Sequence, residues 1–279
     1  MASVGEALGA AADGLRAAGV EDPRLDAEVL LAEAVGCERA ALIADGGADV
    51  PPAAARAFGE MVRRRLRREP VAYIVGRKGF RNIELEVDRR VLIPRPETEL
   101  LVEIALEREP ATLLDLGTGS GAIALAVAAE LPGCAVTAAD TSPAALDVAR
   151  ANAARLGLAE RVRFLPGSLP AGESFDLVLA NLPYVAERDW PGLQPEVTKW
   201  EPREALLAGP DGLDAYRTLF PACGSPLYRY ALQTTAAIAV EVGEGQARAV
   251  AGLMREAGFA AIETRRDLAG IERVVIGER

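Results

Sequence analysis

Two short stretches of this 279-residue chain combine residue types that can hold a small molecule and a reacting group. The first is DLGTGSG, residues 115–121, in which an aspartate at the end of an apolar run is followed by a glycine-rich turn. Glycines let a ligand approach the backbone closely, and the helix that starts after them offers unpaired N–H groups. The second is NLPY, residues 181–184, which follows the apolar run FDLVLA. The first stretch therefore predicts a ligand-binding loop. The second predicts a grip, by which we mean polar groups that hold a reacting group by hydrogen bonds.

The glycine-rich turn is compatible with more than one ligand. Gly117, Gly119 and Ala122 satisfy the dinucleotide fingerprint G-x-G-x-x-G/A. Asp140 follows about twenty residues later, at the end of the next predicted strand. A carboxylate at that position can hold the ribose hydroxyls of NAD or of S-adenosylmethionine. A turn that only packs a helix against a strand is a third interpretation, which the position of Asp140 disfavours.

The NLPY stretch predicts a grip on a planar nitrogen group. Asn181 presents an acceptor and donors in one plane, which complements an amide or an exocyclic amine, and the Leu182 carbonyl can supply a second acceptor. Pro183 holds Leu182 in extended conformations, and Tyr184 offers a flat face to a planar substrate. Methyl transfer from a sulfonium suits this arrangement, because alignment of the reactants does most of the chemistry. The alternative is an asparagine-containing turn without a chemical role.

Composition narrows the chemistry further. The chain contains no histidine, so it lacks the commonest general base and the commonest metal ligand, and we expect no metal site. Three cysteines, Cys37, Cys134 and Cys223, are far apart and fit neither a metal pattern nor a disulfide framework, which favours a reducing cytosol. Lys and Arg total 31 against 41 Asp and Glu, a net charge of −10 that disfavours stable nucleic-acid binding.

The elements that position these stretches follow from hydrophobic periodicity. Residues 3–69 have apolar positions at helical spacing, and from residue 71 a period of two predicts a hairpin. Beyond it, strand-like and helical runs alternate, which predicts an α/β fold with a parallel sheet covered by helices. We expect a helical domain and the start of the hairpin over residues 1–80, and a second domain over residues 81–279. By strand count, Asn181 ends the fourth strand beside the first, where open α/β sheets bind ligands.

Two further features concern the surface and the environment of the protein. The basic run MVRRRLRREP, residues 61–70, predicts either a solvated helix face or a docking patch for an acidic or phosphate-bearing partner. Neither a signal peptide nor a membrane span is recognisable in the sequence, so we expect a soluble, cytoplasmic protein.

Several motifs taken together resemble one known family. DLGTGSG, IPRPETE at 93–99, NLPY at 181–184, LQPEVTKWEPREAL at 193–206 and DGLDAYR at 211–217 are similar to the bacterial release-factor glutamine N5-methyltransferase family. The resemblance extends over nearly the whole chain. IPRPETE is more specific than the glycine-rich turn or NLPY alone. It implies a Rossmann-like class I methyltransferase sheet with helices on both faces, a small helical N-terminal domain and a β-hairpin connector.

The resemblance also implies an activity and its participants. The expected reaction is methylation of the side-chain amide N5 of the glutamine in the Gly-Gly-Gln motif of class I peptide chain release factors, which act in translation termination. The methyl donor would be S-adenosyl-L-methionine, the product S-adenosyl-L-homocysteine, and no metal would take part. The release factor is the implied protein partner, with no stable nucleic-acid or membrane binding, and we expect a monomer.

Residue roles follow from the same resemblance. The implied cofactor-binding residues are Gly117, Thr118, Gly119, Ser120 and Gly121 at the methionine part, Asp140 at the ribose, Ser168 and Leu169 at the adenine, and Asn181. The implied catalytic residues are Asn181 and Leu182, which grip the substrate amide, and Pro183 and Tyr184, which complete its slot. IPRPETE would line the methionine end of the site. Alternatively, Arg95 only pairs with Glu97 or Glu99, and Thr98 only caps the helix that follows it.

The chain departs from the family pattern at three places. Leu182 stands where the family has a proline, although its carbonyl remains, so we expect activity to be retained. Gly167-Ser168-Leu169 replaces an acidic residue that meets the adenine amine, and Ser168 can still accept one hydrogen bond. ACGSPLYRYALQTTAAIAVEVG, residues 222–243, replaces the usual glycine turn before the fifth strand.

Two rival functions belong to other classes. An adenine-N6 DNA methyltransferase uses a similar Asn-x-x-Tyr grip, but the acidic balance and the lack of a target-reading domain disfavour it. A non-catalytic S-adenosylmethionine-binding adaptor is the second rival. It predicts that Asn181→Ala leaves function intact, whereas a methyltransferase would lose turnover.

Overall fold

The computed structural model describes residues 2–170, 172–220 and 235–279. Their contacts divide the chain into two units, Met1–Arg77 with Gln194–Trp200, and Lys78–Leu193 with Glu201–Arg279. The segment 194–200 therefore packs with the first unit, although its sequence position falls in the predicted second domain. Cys223 and residues 222–234 of the unusual stretch at 222–243 lie outside the described residues.

The helices and strands are numbered in chain order. The helices are α1 Val4–Ala17, α2 Pro23–Val35, α3 Arg39–Ala44, α4 Pro52–Leu66, α5 Val71–Val75, α6 Glu99–Arg108, α7 Ala122–Glu130, α8 Pro143–Arg155, α9 Pro195–Trp200, α10 Asp214–Leu219 and α11 Ala247–Glu256. The strands are β1 Arg77–Phe80, β2 Ile83–Glu86, β3 Thr112–Leu116, β4 Ala135–Asp140, β5 Val162–Pro166, β6 Leu177–Ala180, β7 Ala237–Glu241, β8 Ala261–Arg266 and β9 Glu272–Glu278. In the described part of the chain, none of the helices has the length and apolar character that crossing a membrane requires.

The first unit is helical because its sequence carries clear start signals and apolar faces. Ser3 and Glu6 form a capping box at the start of α1, in which each side chain binds the backbone N–H of the other residue. Pro23 opens α2, and Gly36 ends it in a left-handed conformation at φ 79°. Leu15, Leu30 and Leu31 are fully buried in the core of this unit.

The arginine run in this unit is largely structural. Arg65 is buried and binds Asp26 at 2.7 Å and Glu196 at 2.6 Å. Arg68 makes two hydrogen bonds of 2.6 Å to the same glutamate. Arg64 pairs with Glu69. Both interpretations of the run, as a solvated face and as a docking patch, are therefore wrong for Arg65 and Arg68, because carboxylates of their own unit hold these side chains. Arg63 is 63% exposed, as a solvated face requires, and the docking patch stays a prediction for the exposed arginines.

The period-two pattern begins later than predicted. Residues Val71–Val75 form the short helix α5, which follows Pro70 and ends at Gly76 with φ 82°. Its buried residues are Tyr73 and Ile74. The hairpin itself is limited to β1 and β2, so the prediction of a hairpin from residue 71 was wrong for its first five residues.

The second unit contains the predicted α/β sheet. The seven-stranded sheet has the order β5-β4-β3-β6-β7-β9-β8, in which β3 to β7 are parallel and β9 is antiparallel to both its neighbours. The fold-class prediction is confirmed, while the antiparallel edge was not predicted. Because β3 pairs with β6, the stretches at 115–121 and 181–184 follow neighbouring parallel strands at one edge of the sheet.

The core of the second unit fixes these strands. Leu114, Val178 and Ile238 on three adjacent strands are fully buried, and Tyr216 from α10 joins the same cluster. Helix α7 is apolar on all sides, and residues 122–128 are all buried, as expected for a helix enclosed by the protein. The loops at the carboxyl ends of the strands are thus carried by a rigid, close-packed base.

Candidate active site

A cavity of about 350 Å³ lies at the carboxyl ends of the parallel strands. Its walls come from the glycine-rich turn after β3, the ends of β4 and β5, the NLPY stretch, the IPRPETE stretch and α10. The volume falls within the range of small-molecule sites, and the position is the one where open α/β sheets bind ligands.

The glycines of the first motif have different structural tasks. Gly117, Gly119 and Gly121 all have positive φ angles, 77°, 55° and 88°. A Cβ atom on Gly117 would lie 3.4 Å from Cδ2 of Leu182, so this glycine lets the NLPY stretch come close. A Cβ on Gly119 would meet nothing within 4 Å, and this residue lines the cavity. Gly121 is not in the cavity wall, because it faces its own helix, where a Cβ would lie 2.8 Å from Cδ1 of Leu125.

Asp115 supports the turn from below. Its Oδ2 accepts hydrogen bonds from the Thr118 hydroxyl at 2.6 Å and from the Ala124 N–H at 3.1 Å. In the described part of the chain, Oδ1 has no hydrogen-bond partner. Complete burial raises the pKa of Asp115 to about 7. The carboxyl group therefore holds the shape of the loop rather than contacting solvent.

Asp140 ends β4 at the cavity wall, as predicted. Its two oxygens accept the backbone N–H groups of Gly119 at 2.9 Å and Ser142 at 2.8 Å. A carboxylate has about four acceptor sites, so it can still receive two hydroxyl groups from a ligand.

The predicted adenine end of the site is only partly represented in the cavity wall. Ser168 lines the cavity. Leu169 does not, because its side chain is buried in the core of the sheet domain beside Phe175.

The NLPY stretch divides between the cavity and the protein interior. Asn181, Leu182 and Pro183 line the cavity. Tyr184 does not: its hydroxyl lies 3.4 Å from Oε1 of Glu241, and burial raises the pKa of this phenol. The Gln246 side-chain amide donates to the Tyr184 carbonyl at 2.9 Å and thereby holds the turn.

The IPRPETE stretch braces the asparagine. Nδ2 of Asn181 donates to the Thr98 hydroxyl oxygen at 3.0 Å, and the Thr98 side chain makes no capping bond to its helix. Arg95 pairs with Glu201, whose other oxygen accepts the Ile93 N–H at 3.0 Å. The alternative roles of Arg95 as a partner of the neighbouring glutamates and of Thr98 as a helix cap were therefore wrong.

Sequence reasoning missed three residues around the site: Glu201, Glu241 and Gln246. Glu241 had a detectable signal, because it is the one charged residue in the apolar run AAIAVEV that predicted a buried strand. Burial raises the pKa of Glu241 to about 7, and the hydrogen bond from the Tyr184 hydroxyl lowers it in part. Glu201 lies in the motif LQPEVTKWEPREAL, for which no residue role was predicted, and Gln246 had no comparable signal, because its sequence surroundings are polar.

Two family models match the chain, one described as the PrmC N-terminal domain over residues 6–76 and one as a methyltransferase domain over residues 113–200. The release factor glutamine methyltransferase of Caulobacter vibrioides is 42% identical over 96% of this chain and 93% of its own length. The corresponding protein of Moorella thermoacetica is 44% identical over 98% of each. That of Bordetella pertussis is 45% identical over 90% of this chain and 93% of its own length.

Solved structures with similar folds include methyltransferases. The hMettl16 catalytic domain in complex with a MAT2A 3'UTR hairpin has a TM-score of 0.53 at 15% identity, covering 70% of this chain and 75% of that one. A methyltransferase from Pyrococcus furiosus has a TM-score of 0.51 at 15% identity, covering 72% of this chain and 91% of that one. At these identities the likeness concerns the fold alone.

Proposed function

Because the chain belongs to the release factor glutamine methyltransferase family, we propose that it methylates the side-chain amide of a glutamine in class I peptide chain release factors. The methyl donor is S-adenosylmethionine, and the acceptor is N5 of the glutamine in the Gly-Gly-Gln motif. The observation that carries the proposal is the Asn181 side-chain amide at the cavity wall, held by Thr98 next to the glycine-rich turn.

The residues of the cavity fit S-adenosylmethionine. Gly119 leaves room where any other side chain would project, and Asp140 retains acceptor capacity for the two ribose hydroxyls. Ser168 offers one polar contact at the remaining end of the cavity. When bound, this compound supplies an electrophilic methyl group on a sulfonium that departs as a neutral thioether.

The chain's own contribution is to orient the nucleophile. Since Nδ2 of Asn181 donates to Thr98, Oδ1 is the atom left to accept an N–H of the substrate amide. The Leu182 carbonyl can accept the second N–H. An amide nitrogen gains positive charge as it forms the new N–C bond, and it then loses one proton to water. Two acceptor oxygens stabilise that charge at the position where it develops.

The test is to incubate the full-length protein with S-adenosylmethionine and a class I release factor, and to map added methyl groups by peptide mass spectrometry. We expect a methyl group on the Gly-Gly-Gln glutamine, and Asn181→Ala should lower kcat by about 10²-fold or more with cofactor binding largely kept. Asn82→Ala, at an exposed asparagine in the β1–β2 turn, is the matched control and should retain activity.

The rival functions are outcomes of the same experiment. Duplex DNA assayed in parallel would become methylated on adenine if the grip serves an exocyclic amine. Cofactor binding without transfer to either substrate would support the adaptor. Cytoplasmic location, a monomeric state and the lack of stable nucleic-acid binding stay predictions.

A further inference from the structure

Asn152 is a buried asparagine behind the glycine-rich turn. It lies on α8, is 0% exposed and does not line the cavity. Within the described part of the chain, its side chain makes three hydrogen bonds, all of them to backbone atoms. A buried backbone group that loses such a partner is left unpaired, which is costly. Asn152 can therefore shape the site without touching a ligand.

Two of these hydrogen bonds pair the amide with one residue of the hairpin. Oδ1 accepts the Glu86 N–H at 2.7 Å, and Nδ2 donates to the Glu86 carbonyl at 3.0 Å. Glu86 is the last residue of β2, and the side chain pairs with its backbone as a neighbouring strand would. Two bonds to one residue fix the plane of the amide, so the second hydrogen of Nδ2 can point in one direction only.

That hydrogen meets the carbonyl oxygen of Ser120 in the glycine-rich turn, which lies 3.0 Å from Nδ2. Ser120 is 2% exposed and belongs to the cavity wall. The peptide that joins Ser120 to Gly121 is also held at its other end, because the Gly121 N–H donates to the Thr118 carbonyl at 2.8 Å. Asn152 therefore holds one side of a peptide plane that helps to form the cavity wall.

The turn needs this support because its glycines restrict the backbone only weakly. Gly119 and Gly121 stand on either side of Ser120, and glycine adopts positive and negative φ angles about equally well. A peptide plane next to such residues can rotate unless both of its polar ends are bound. A ligand that must first order this peptide binds more weakly, because ordering costs conformational entropy.

We propose that Asn152 is a positioning residue for S-adenosylmethionine: its amide, aligned by Glu86, keeps the Ser120 peptide in the orientation that the cofactor binds. The inference rests on the proposed function, which supplies the cofactor, and deepens it, because it connects the hairpin to the cofactor loop. The connection is reciprocal, so a ligand that orders the turn also stabilises the contact between Asn152 and the hairpin.

The first experiment measures the binding of S-adenosylhomocysteine to the full-length protein by calorimetry. We expect Asn152→Ala to raise Kd about tenfold or more, because the Ser120 carbonyl loses its donor. Asn152→Asp keeps the size and the acceptor for the Glu86 N–H but cannot donate to both carbonyls, so it should also raise Kd. A merely structural role would lower the fraction of protein that is folded, and hence the binding stoichiometry, but not the Kd of that fraction.

Arg155→Ala is the matched control for this experiment. Arg155 is an exposed residue of α8 that donates to the Glu84 carbonyl of the same hairpin. The variant loses a hairpin contact without touching the turn, so its Kd should stay within about twofold of wild type. Equal rises of Kd in Arg155→Ala and Asn152→Ala would overturn the inference, and so would an unchanged Kd in both Asn152 variants.

Turnover on a whole release factor separates this inference from the proposed function. In Asn152→Ala, KM for S-adenosylmethionine should rise, whereas kcat at saturating cofactor should change less than about threefold, because the acceptor grip is intact. A fall in kcat with unchanged KM and Kd would contradict a role in cofactor positioning. A wild type that binds the cofactor product but methylates no release factor would overturn the proposed function and leave the inference intact.

The second experiment needs no substitution. In the ¹⁵N-labelled wild type, exchange of the Glu86 amide hydrogen should slow when S-adenosylhomocysteine binds, although Glu86 is not in the cavity wall, because the ordered turn then holds its partner Asn152. The Thr112 amide is the control, since Oδ2 of Asp176 accepts it at 2.8 Å at the amino end of β3, away from the cavity. Slowing by the same factor at both amides, or at neither, would overturn the inference.

Discussion

Removal of the Glu196 carboxylate tests how the arginine run stabilises the first unit. The carboxylate receives three hydrogen bonds of 2.6 Å, one from Arg65 and two from Arg68. The side chains of all three residues are at most 17% exposed. Glu196→Ala therefore leaves two arginines without their shared partner in a place that water reaches poorly.

The expected loss of unfolding free energy depends on the partners that the two arginines keep after the substitution. Breaking a buried ion pair by removing one partner costs about 3–5 kcal/mol, because the other charge is left uncompensated. Arg65 keeps Asp26 at 2.7 Å, and the more exposed Arg68 can rehydrate in part. We therefore expect a loss near the lower end of this range, about 3 kcal/mol.

The pH dependence provides a second check on the same variant. Burial alone would raise the pKa of Glu196, but the combined effect of the hydrogen bonds from Arg68 and Arg65 is larger and lowers this pKa below the usual 4.5. A lowered native pKa stabilises the fold above 4.5, and this contribution disappears as the pH falls through the native value. The difference between wild type and Glu196→Ala should shrink over the same range.

The assay is native-state hydrogen exchange of the α2 and α4 amides in the full-length protein, because a two-unit chain need not unfold in one step. Glu60→Ala is the matched control, since Glu60 pairs with Arg63 of the same run and both side chains are more than 60% exposed. Exposed pairs contribute roughly 0–1 kcal/mol. Equal effects of Glu60→Ala and Glu196→Ala would refute the argument that burial makes this cluster structural.

Three further predictions concern the second unit. Asp140→Ala should weaken S-adenosylmethionine binding by about tenfold to hundredfold in calorimetry, because hydrogen bonds to a charged group contribute roughly 1.5–3 kcal/mol each. The control variant Asp147→Ala, at an exposed residue of α8, should bind the cofactor normally. Gly121→Ala should lower Tm, because a φ of 88° is unfavourable to alanine and the added Cβ would lie 2.8 Å from Cδ1 of Leu125 in the helix that follows. The control, Gly9→Ala in α1, should raise Tm, because its Cβ would meet no atom within 4 Å. Leu182→Pro should change kcat less than tenfold, since the carbonyl remains; a gain of orders of magnitude would show that the natural grip is poorly formed.

Local sequence patterns predicted the parts of this protein that depend on local chemistry. The alternation of strands and helices gave the α/β sheet, and strand counting placed Asn181 beside the glycine-rich turn. Both inferences depend on rules that act within a few residues or between successive elements. The same reasoning found Asp140, because a carboxylate at the end of the next strand is part of a local motif.

The features that sequence reasoning missed depend on contacts between residues that are far apart in the sequence. Thr98 meets Asn181 across 83 residues, and Arg95 meets Glu201 across 106. Arg65 is buried because Asp26 and Glu196 reach it from 39 and 131 residues away. A basic run looks the same in sequence whether its partners are solvent or distant carboxylates. Only tertiary packing decides between a surface face and an internal ionic cluster.

The two buried carboxyls beneath the site have the same effect on the pH dependence of stability. Asp115 supports the glycine-rich turn and Glu241 lies behind the NLPY stretch, and burial raises the pKa of each to about 7. A raised native pKa contributes stability that is complete below the unfolded value and is lost as the pH rises through 7. Both groups therefore weaken the fold over the same pH interval, and the buried core beneath the site must compensate for that loss.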